Sequence, residues 1–173
     1  MNHTGKIMVG QRDGVYLLKL VGDVRVTLCI SAEGFFDRMF KDPDFQSVLV
    51  DLSAATGIDS TSLGILAKLS IGTQQRFGLV PTLVVTSSDL ERVLRSSGFS
   101  DVFHLVTEPL ERVEQLGELP PSQLGEDALR QRVIDAHKTL MGLNERNQHA
   151  FQDLVAALEA EDEQGDPTAA AAG

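Results

Sequence analysis

The chain has 173 residues, 42% of them hydrophobic, and a formal net charge of −10, so it can bury one ordinary core and carry an extension. Its single cysteine, Cys29, excludes an internal disulfide and fits a small buried residue. Residues 1–106 carry ten Lys or Arg and eleven Asp or Glu, whereas residues 107–173 carry five and fourteen, and this acidic excess argues against a nucleic-acid partner.

The first two thirds of the chain alternate between strand and helix signals. Runs of branched apolar residues predict strands, and apolar residues at helical spacing predict helices. The predicted strands are 6–11, 15–20, 48–52, 82–86 and 102–105, and the predicted helices are 31–40, 63–77 and a third that is capped by one of residues 87–89 and ends at Gly98. Gly14 suits a tight hairpin turn between the first two strands. This order predicts an α/β fold with a mixed sheet and packed helices.

A group of polar residues lies where the 48–52 strand leads into the 63–77 helix. Residues 53–58 are interpreted as a loop, and Asp59, Ser60, Thr61 and Ser62 then open the helix. A helix N-terminus has free backbone N–H groups and the positive end of the helix dipole, so it suits a bound or covalently attached phosphate. The alternative is that Asp59 or Ser60 serves only as an N-cap, worth roughly 1 kcal/mol.

The C-terminal third predicts a linker at 118–123, a helical extension at 124–160 and a disordered tail at 161–173. Pro120 and Pro121 exclude a regular helix through the linker. Apolar residues then follow heptad spacing, with Asn147 in one of the two rows. One row is Leu129, Ala136, Leu143, Ala150 and Ala157, and the other is Val133, Leu140, Asn147 and Leu154.

Two alternatives stay open for this extension. Phe151, Val155 and Leu158 widen the apolar stripe, and Gly142 permits a break, so both one long helix and a helical hairpin fit. Its apolar face is suited to self-association, to binding a partner or to packing on the α/β domain.

Several classes of site are absent from the sequence. There is no Gly-x-x-x-x-Gly-Lys, Gly-x-Gly-x-x-Gly or Gly-x-Ser-x-Gly motif, and we expect no cofactor. His3, His104, His137 and His149 lack metal-ligand spacing, and His137 and His149 are predicted on solvated helix faces. Asp51 is interpreted as structural. Ser60 has no general base nearby in the sequence, so we expect a protein that is not an enzyme.

No targeting segment is recognisable either. No signal peptide precedes the first strand, and no apolar run approaches the ~20 residues that span a bilayer. We therefore expect a cytoplasmic protein.

The order of these segments resembles the STAS domain of bacterial anti-sigma factor antagonists. That family places Asp-Ser-(Ser/Thr)-Gly-Leu-Gly after a hydrophobic strand, and this chain has Ile-Asp-Ser-Thr-Ser-Leu-Gly at 58–64 after the 48–52 strand. Segments 14–24, 82–86, 90–99 and 102–105 resemble further strands and the third helix of that family. The resemblance covers about residues 5–116, and we assign a STAS-like domain to residues 1–117.

The resemblance implies a phosphorylation switch that regulates transcription. Ser60 takes the place of the phosphorylated serine, with Thr61 and Ser62 as alternative acceptors. The unphosphorylated protein would bind and sequester an anti-sigma factor that has an ATP-binding serine kinase domain, and so free a sigma factor. A PP2C-type phosphatase, possibly fused to a response regulator, would remove the phosphate. The residues implied in partner binding are Asp23, Arg25, Asp59, Ser60, Thr61, Ser62 and Leu63.

Two departures from the family pattern bear on the partner. Ser62 replaces a glycine and is expected to add a hydroxyl at the contact surface, and Arg25 stands where the family often has an acidic residue. The alternative function is an accessory STAS subunit of an ABC-type lipid transporter, in which the same helix would dock an ATPase. A scaffold with capacity for a small ligand is a third reading.

Overall fold

The computed structural model describes residues 5–110, 116–121 and 123–164. In these ranges it contains six strands and five α-helices. The strands are β1 Lys6–Arg12, β2 Val15–Val24, β3 Ser47–Ile58, β4 Thr82–Val84, β5 His104–Val106 and β6 Gly117–Leu119. The helices are α1 Val26–Phe40, α2 Ser60–Phe77, α3 Ser88–Ser96, α4 Glu126–Met141 and α5 Glu145–Gln164.

The strands form one mixed sheet in the order β5-β4-β3-β2-β1-β6. Neighbours from β2 to β5 are parallel, whereas β1 is antiparallel to both β2 and β6. The β1–β2 turn has positive φ at Asp13 (51°) and Gly14 (82°), the pattern of a two-residue hairpin turn whose twist matches the strands. The mixed sheet with packed helices confirms the predicted α/β class.

The core is mainly aliphatic and lies between the sheet and the helices. Leu18, Leu20, Val50 and Leu52 of the central strands are almost completely buried. Helix α2 packs against α1 and against α4, and α5 packs against α4. Ala136 and Leu140 of α4 belong to the same buried cluster as the sheet residues. The C-terminal helices therefore share a core with the α/β domain.

Strand β3 is longer than the sequence predicts. Residues 53–58, interpreted as a loop, continue the strand to Ile58. The reason is that β2 also extends, to Val24, and supplies a parallel partner for the added residues, with Ala54 paired to Val21 and Ile58 to Val24. The predicted loop is wrong because a backbone partner, rather than side-chain apolarity, holds this segment extended.

The C-terminal extension is a helical hairpin. Helix α4 ends at Met141 and α5 begins at Glu145, so the chain breaks at Gly142, and α4 packs on α2 rather than forming a two-stranded coiled coil within the chain. Glu118 and Leu119, placed in the predicted linker, belong to β6, where Leu119 is buried and pairs with Ile7. Helix α5 reaches Gln164, inside the predicted tail, and residues 165–173 lie outside the described residues.

Candidate functional site

Asp59 links the N-termini of two helices at the end of β3. It is the N-cap of α2, and its Oδ1 accepts a hydrogen bond from the Ser62 backbone N–H at 2.7 Å. Its Oδ2 accepts from the backbone N–H of Val26, the first residue of α1, at 2.8 Å. One carboxylate therefore satisfies free donors of both helices, and Ser60 follows it as the first residue of α2.

Asp23 and Arg25 lie beside this junction. The Asp59 backbone N–H donates to the carbonyl of Val24, which places the end of β2 next to the start of α2. Arg25 Nε donates to Asp23 Oδ2 at 2.9 Å, and both side chains are well exposed. The hydrogen bond to Asp23 raises the pKa of Arg25. The positive charge of Arg25, which departs from the family pattern, is thus paired with the negative charge of Asp23.

The three residues after Ser60 lie inside the protein. Thr61, Ser62 and Leu63 are all buried, and Ser62 has 0% exposure. The prediction that Ser62 adds a hydroxyl at the contact surface is wrong, because this turn of α2 packs inward. Burial raises the pKa of the nearby Cys29 thiol to about 12. Ser62 Oγ has no hydrogen-bond partner of good geometry among the described residues.

Ser60 is half-buried, and its hydroxyl contacts a histidine from the C-terminal hairpin. Ser60 Oγ lies 2.8 Å from His137 Nε2, although the two residues are 77 positions apart. His137 Nδ1 lies 2.7 Å from the carbonyl oxygen of Val133, one turn earlier in α4. The His137 ring also packs edge-on against Phe151 of α5, with centroids 4.9 Å apart.

His137 is only 2% exposed, so its predicted position on a solvated helix face is wrong. His149, by contrast, is exposed. A signal was present in the spacing, because Val133, His137 and Leu140 are four and three residues apart and so share one face of α4. The spacing identifies the buried stripe, but it does not identify Ser60 as its contact.

Close packing of α4 on α2 brings the two residues together. Gly64 faces Ala136, and a Cβ atom added at residue 64 would lie 2.6 Å from the Ala136 carbonyl carbon and 2.7 Å from its Cβ. Contacts that short do not occur, so only glycine permits this approach.

Further polar contacts hold the hairpin on the domain. Arg132 of α4 donates to Glu33 of α1 at 2.6 Å. Near the C-terminal end of α4, Asn147 of α5 donates to the Ser97 carbonyl of the domain at 2.9 Å and, within the hairpin, to the Leu140 carbonyl at 2.8 Å. The hairpin is therefore anchored to α1, to α2 and to the end of α3.

The Ser60–His137 pair resembles a nucleophile and its base, but its surroundings differ from a catalytic site. The Val133 carbonyl can only accept a hydrogen bond, so a neutral His137 carries its proton on Nδ1 and accepts the Ser60 proton at Nε2. That pairing activates nucleophiles in hydrolases. Here the partner of His137 Nδ1 is a backbone carbonyl of its own helix, whereas a carboxylate orients the histidine of a Ser-His-Asp triad. The geometry therefore favours a Ser60 hydroxyl that is covered by the hairpin over one that attacks a substrate.

In residues 5–110, 116–121 and 123–164, no group of three or more His, Cys, Asp or Glu side chains could hold a metal ion. None of the helices in those ranges has the length and apolar character required to cross a membrane.

Comparisons with known proteins agree with this architecture. No match was found among curated proteins. A solved structure, the "Crystal Structure of an Anti-sigma Factor Antagonist from Mycobacterium paratuberculosis", has a TM-score of 0.51 and 21% sequence identity and covers 61% of this chain and 87% of that chain. This likeness concerns the fold. The family model of the STAS domain matches residues 6–113, which is more than half of the chain, and the protein therefore belongs to the STAS domain family.

Proposed function

We propose that the protein is an anti-sigma factor antagonist, a non-enzymatic switch controlled by phosphorylation of Ser60. The observation that supports this proposal is the position of Ser60 in a STAS domain, as the first residue of α2 directly after the N-cap Asp59. Unphosphorylated, the protein would sequester an anti-sigma factor and so free a sigma factor for transcription in the bacterial cytoplasm.

The effect of a phosphate follows from its charge. It adds about −1.5 to −2 charge at pH 7, beside the carboxylate of Asp59. The positive end of the α2 dipole offsets part of this repulsion, by roughly 0.3–1 kcal/mol, so the domain should stay folded. A partner that must desolvate the phosphate would lose affinity, and ~3 kcal/mol corresponds to a factor of more than a hundred in Kd.

The proposed partners follow from the same switch. The anti-sigma factor would carry an ATP-binding serine kinase domain that phosphorylates Ser60, and a PP2C-type phosphatase, possibly fused to a response regulator, would reverse it. Thr61 and Ser62 are weaker candidates as acceptors because both are buried. Asp23 and Arg25 are exposed and would form the edge of the partner contact.

Affinity capture from an extract of the source cells tests the proposal. Wild type, Ser60→Ala and Ser60→Asp serve as baits, and bound proteins and phosphosites are identified by mass spectrometry. We expect a kinase-fold anti-sigma factor with wild type and Ser60→Ala, and at least about a hundredfold weaker binding with Ser60→Asp. Ser88→Asp is the matched control, since Ser88 is the exposed first residue of α3.

Two outcomes would overturn the proposal. One is equal binding by Ser60→Asp together with no phosphate on residues 60–62. The other is recovery of ABC ATPase subunits instead of a kinase-fold protein, which would support the transporter-subunit function.

A further inference from the structure

We propose that the α4–α5 hairpin is an intramolecular cap on Ser60 and that a phosphate on Ser60 releases it. The inference rests on the proposed function of Ser60 as phosphate acceptor. It adds a closed and an open conformation to the switch, and it assigns His137 as the residue through which the hairpin senses the state of the serine.

The first argument concerns the proton in the Ser60–His137 hydrogen bond. Because Nδ1 of a neutral His137 donates to the Val133 carbonyl, Nε2 has only a lone pair to offer Ser60. The hydroxyl is thus the donor. Phosphorylation replaces its hydrogen by phosphorus, which leaves the buried Nε2 facing oxygen atoms that have no proton to donate. An unpaired buried acceptor destabilises the docked hairpin.

The second argument concerns space. His137 is buried between Ser60 and the Phe151 ring, and α4 lies directly against Gly64 through Ala136. Helix α4 therefore cannot move closer to α2, and a phosphate with three further oxygens has to be fitted at a serine oxygen that already lies 2.8 Å from the ring. Closely packed interiors have low compressibility and transmit strain, so the added volume strains the contact between α2 and α4.

The third argument concerns charge. Residues 126–164 contain four Lys or Arg and nine Asp or Glu, a net charge of −5. Arg132, the hairpin cation that contacts α1, is already bonded to Glu33. The Ser62 N–H, which could have bound a phosphate oxygen at the helix N-terminus, is bonded to Asp59. A phosphate on Ser60 therefore meets an acidic hairpin and a donor that is already occupied.

Docking of the hairpin also competes with a partner. The hairpin covers Ser60, whose phosphorylation is proposed to control partner binding, and it packs on Gly64 in the next turn of α2. The apparent Kd of a partner equals its intrinsic Kd divided by the fraction of molecules that are open. This cost falls on the unphosphorylated protein, and release of the hairpin by the phosphate restores access to α2. The switch keeps its direction because the phosphate itself excludes the partner by a larger factor than opening restores.

Hydrogen–deuterium exchange on the full chain tests the cap without any partner or kinase. Phosphoserine is incorporated at position 60 by genetic code expansion, and a second protein carries phosphoserine at position 88, the exposed first residue of α3. A detached helix pair is only marginally stable in water, so its amides should exchange faster. We expect amide exchange in α4 and α5 to accelerate about tenfold or more with phosphoserine 60 and to stay unchanged with phosphoserine 88.

An unphosphorylated pair of variants gives an independent test. Ala136→Leu adds bulk against α2 from the hairpin side, whereas Ala150→Leu adds the same bulk at an exposed position of α5. We expect accelerated exchange in α4 and α5 with Ala136→Leu only, while the sheet stays protected. Loss of protection throughout the sheet would overturn the proposal, because the hairpin would then be a permanent part of the fold.

The result with phosphoserine 60 also shows whether the phosphate weakens or strengthens docking of the hairpin. Unchanged exchange would show that the phosphate and the docked hairpin coexist, and slower exchange would show that a protonated His137 clamps the phosphate. Both would overturn the proposal. A failure of the proposed function appears separately, as absence of a kinase-fold partner and of natural phosphate on Ser60, and it leaves the exchange result intact.

Discussion

Replacing Asp59 with alanine removes two helix caps in one substitution. The carboxylate accepts backbone hydrogen bonds from Ser62 in α2 at 2.7 Å and from Val26 in α1 at 2.8 Å. Loss of a single N-cap costs about 0.5–2 kcal/mol. Because both donors lose their acceptor together, we expect the free energy of unfolding to fall by about 2–3 kcal/mol and Tm by about 5–10 °C.

Two further variants serve as comparisons, one that removes a single bond of Asp59 and one that removes a single cap elsewhere. In Asp59→Asn the amide nitrogen cannot accept, so one backbone donor loses its partner and about half of the loss should appear. Ser87→Ala is the control for a single cap, because Ser87 accepts one bond from the Leu90 N–H of α3 at 3.3 Å. We expect this variant to lose about 0.5–1 kcal/mol.

Urea unfolding followed by circular dichroism at neutral pH measures all three variants against wild type. The slope with urea should stay constant, so that midpoints report stability directly. The reasoning would be refuted if Asp59→Ala lost no more stability than Ser87→Ala, or if Asp59→Asn matched Asp59→Ala. The first result would mean that water replaces the carboxylate at little cost.

Three smaller predictions concern buried polar groups, and urea unfolding tests each of them. Ser62→Ala should raise the free energy of unfolding by about 0.5–1 kcal/mol, because the Ser62 hydroxyl is buried without a good partner. Ser70→Ala is the control, and it should lower that free energy by about 1 kcal/mol because the Ser70 hydroxyl donates to the Val102 carbonyl. Asn147→Ala should cost about 1–2 kcal/mol, since the Ser97 carbonyl loses its amide donor and the Leu140 carbonyl keeps only the Leu143 N–H, while the exposed Gln148→Ala should change little. Burial and the hydrogen bond to Asp42 raise the pKa of Tyr16 to about 12, so the unfolded chain loses this proton first and stability should fall between pH 10 and 12. Tyr16→Phe should remove that fall, and an unchanged slope in this variant would contradict the assignment.

Local chemistry made much of the domain predictable. The apolar strand before Asp59, the hydroxyl residues after it and the helical spacing beyond Leu63 define the β3–α2 unit, and Asp59 indeed caps α2. Where the expectation was wrong, a partner distant in sequence decided the structure. Residues 53–58 extend β3 because β2 pairs with them.

The site itself was predictable only in part. Ser60 and Asp59 follow from the pattern around the helix start, but the contact with His137 joins two elements that are far apart in the chain. Helical spacing showed that the extension has an apolar face without showing what it packs against. Gly64 permits the close approach of α4 to α2, but in the sequence it is recognisable only as a residue near the start of a helix.

Strand β6 keeps the hairpin close to its docking site on α2 even after release. It pairs residues 117–119 with β1, so the chain is held on the sheet just before the hairpin begins. Only residues 120–125 separate β6 from α4, and six residues span at most about 20 Å. A released hairpin would thus remain at a local concentration on the millimolar scale. Dilution of the protein would not weaken its recapture, and the balance between states would depend on the abundance of rival binders and on the lifetime of the phosphate.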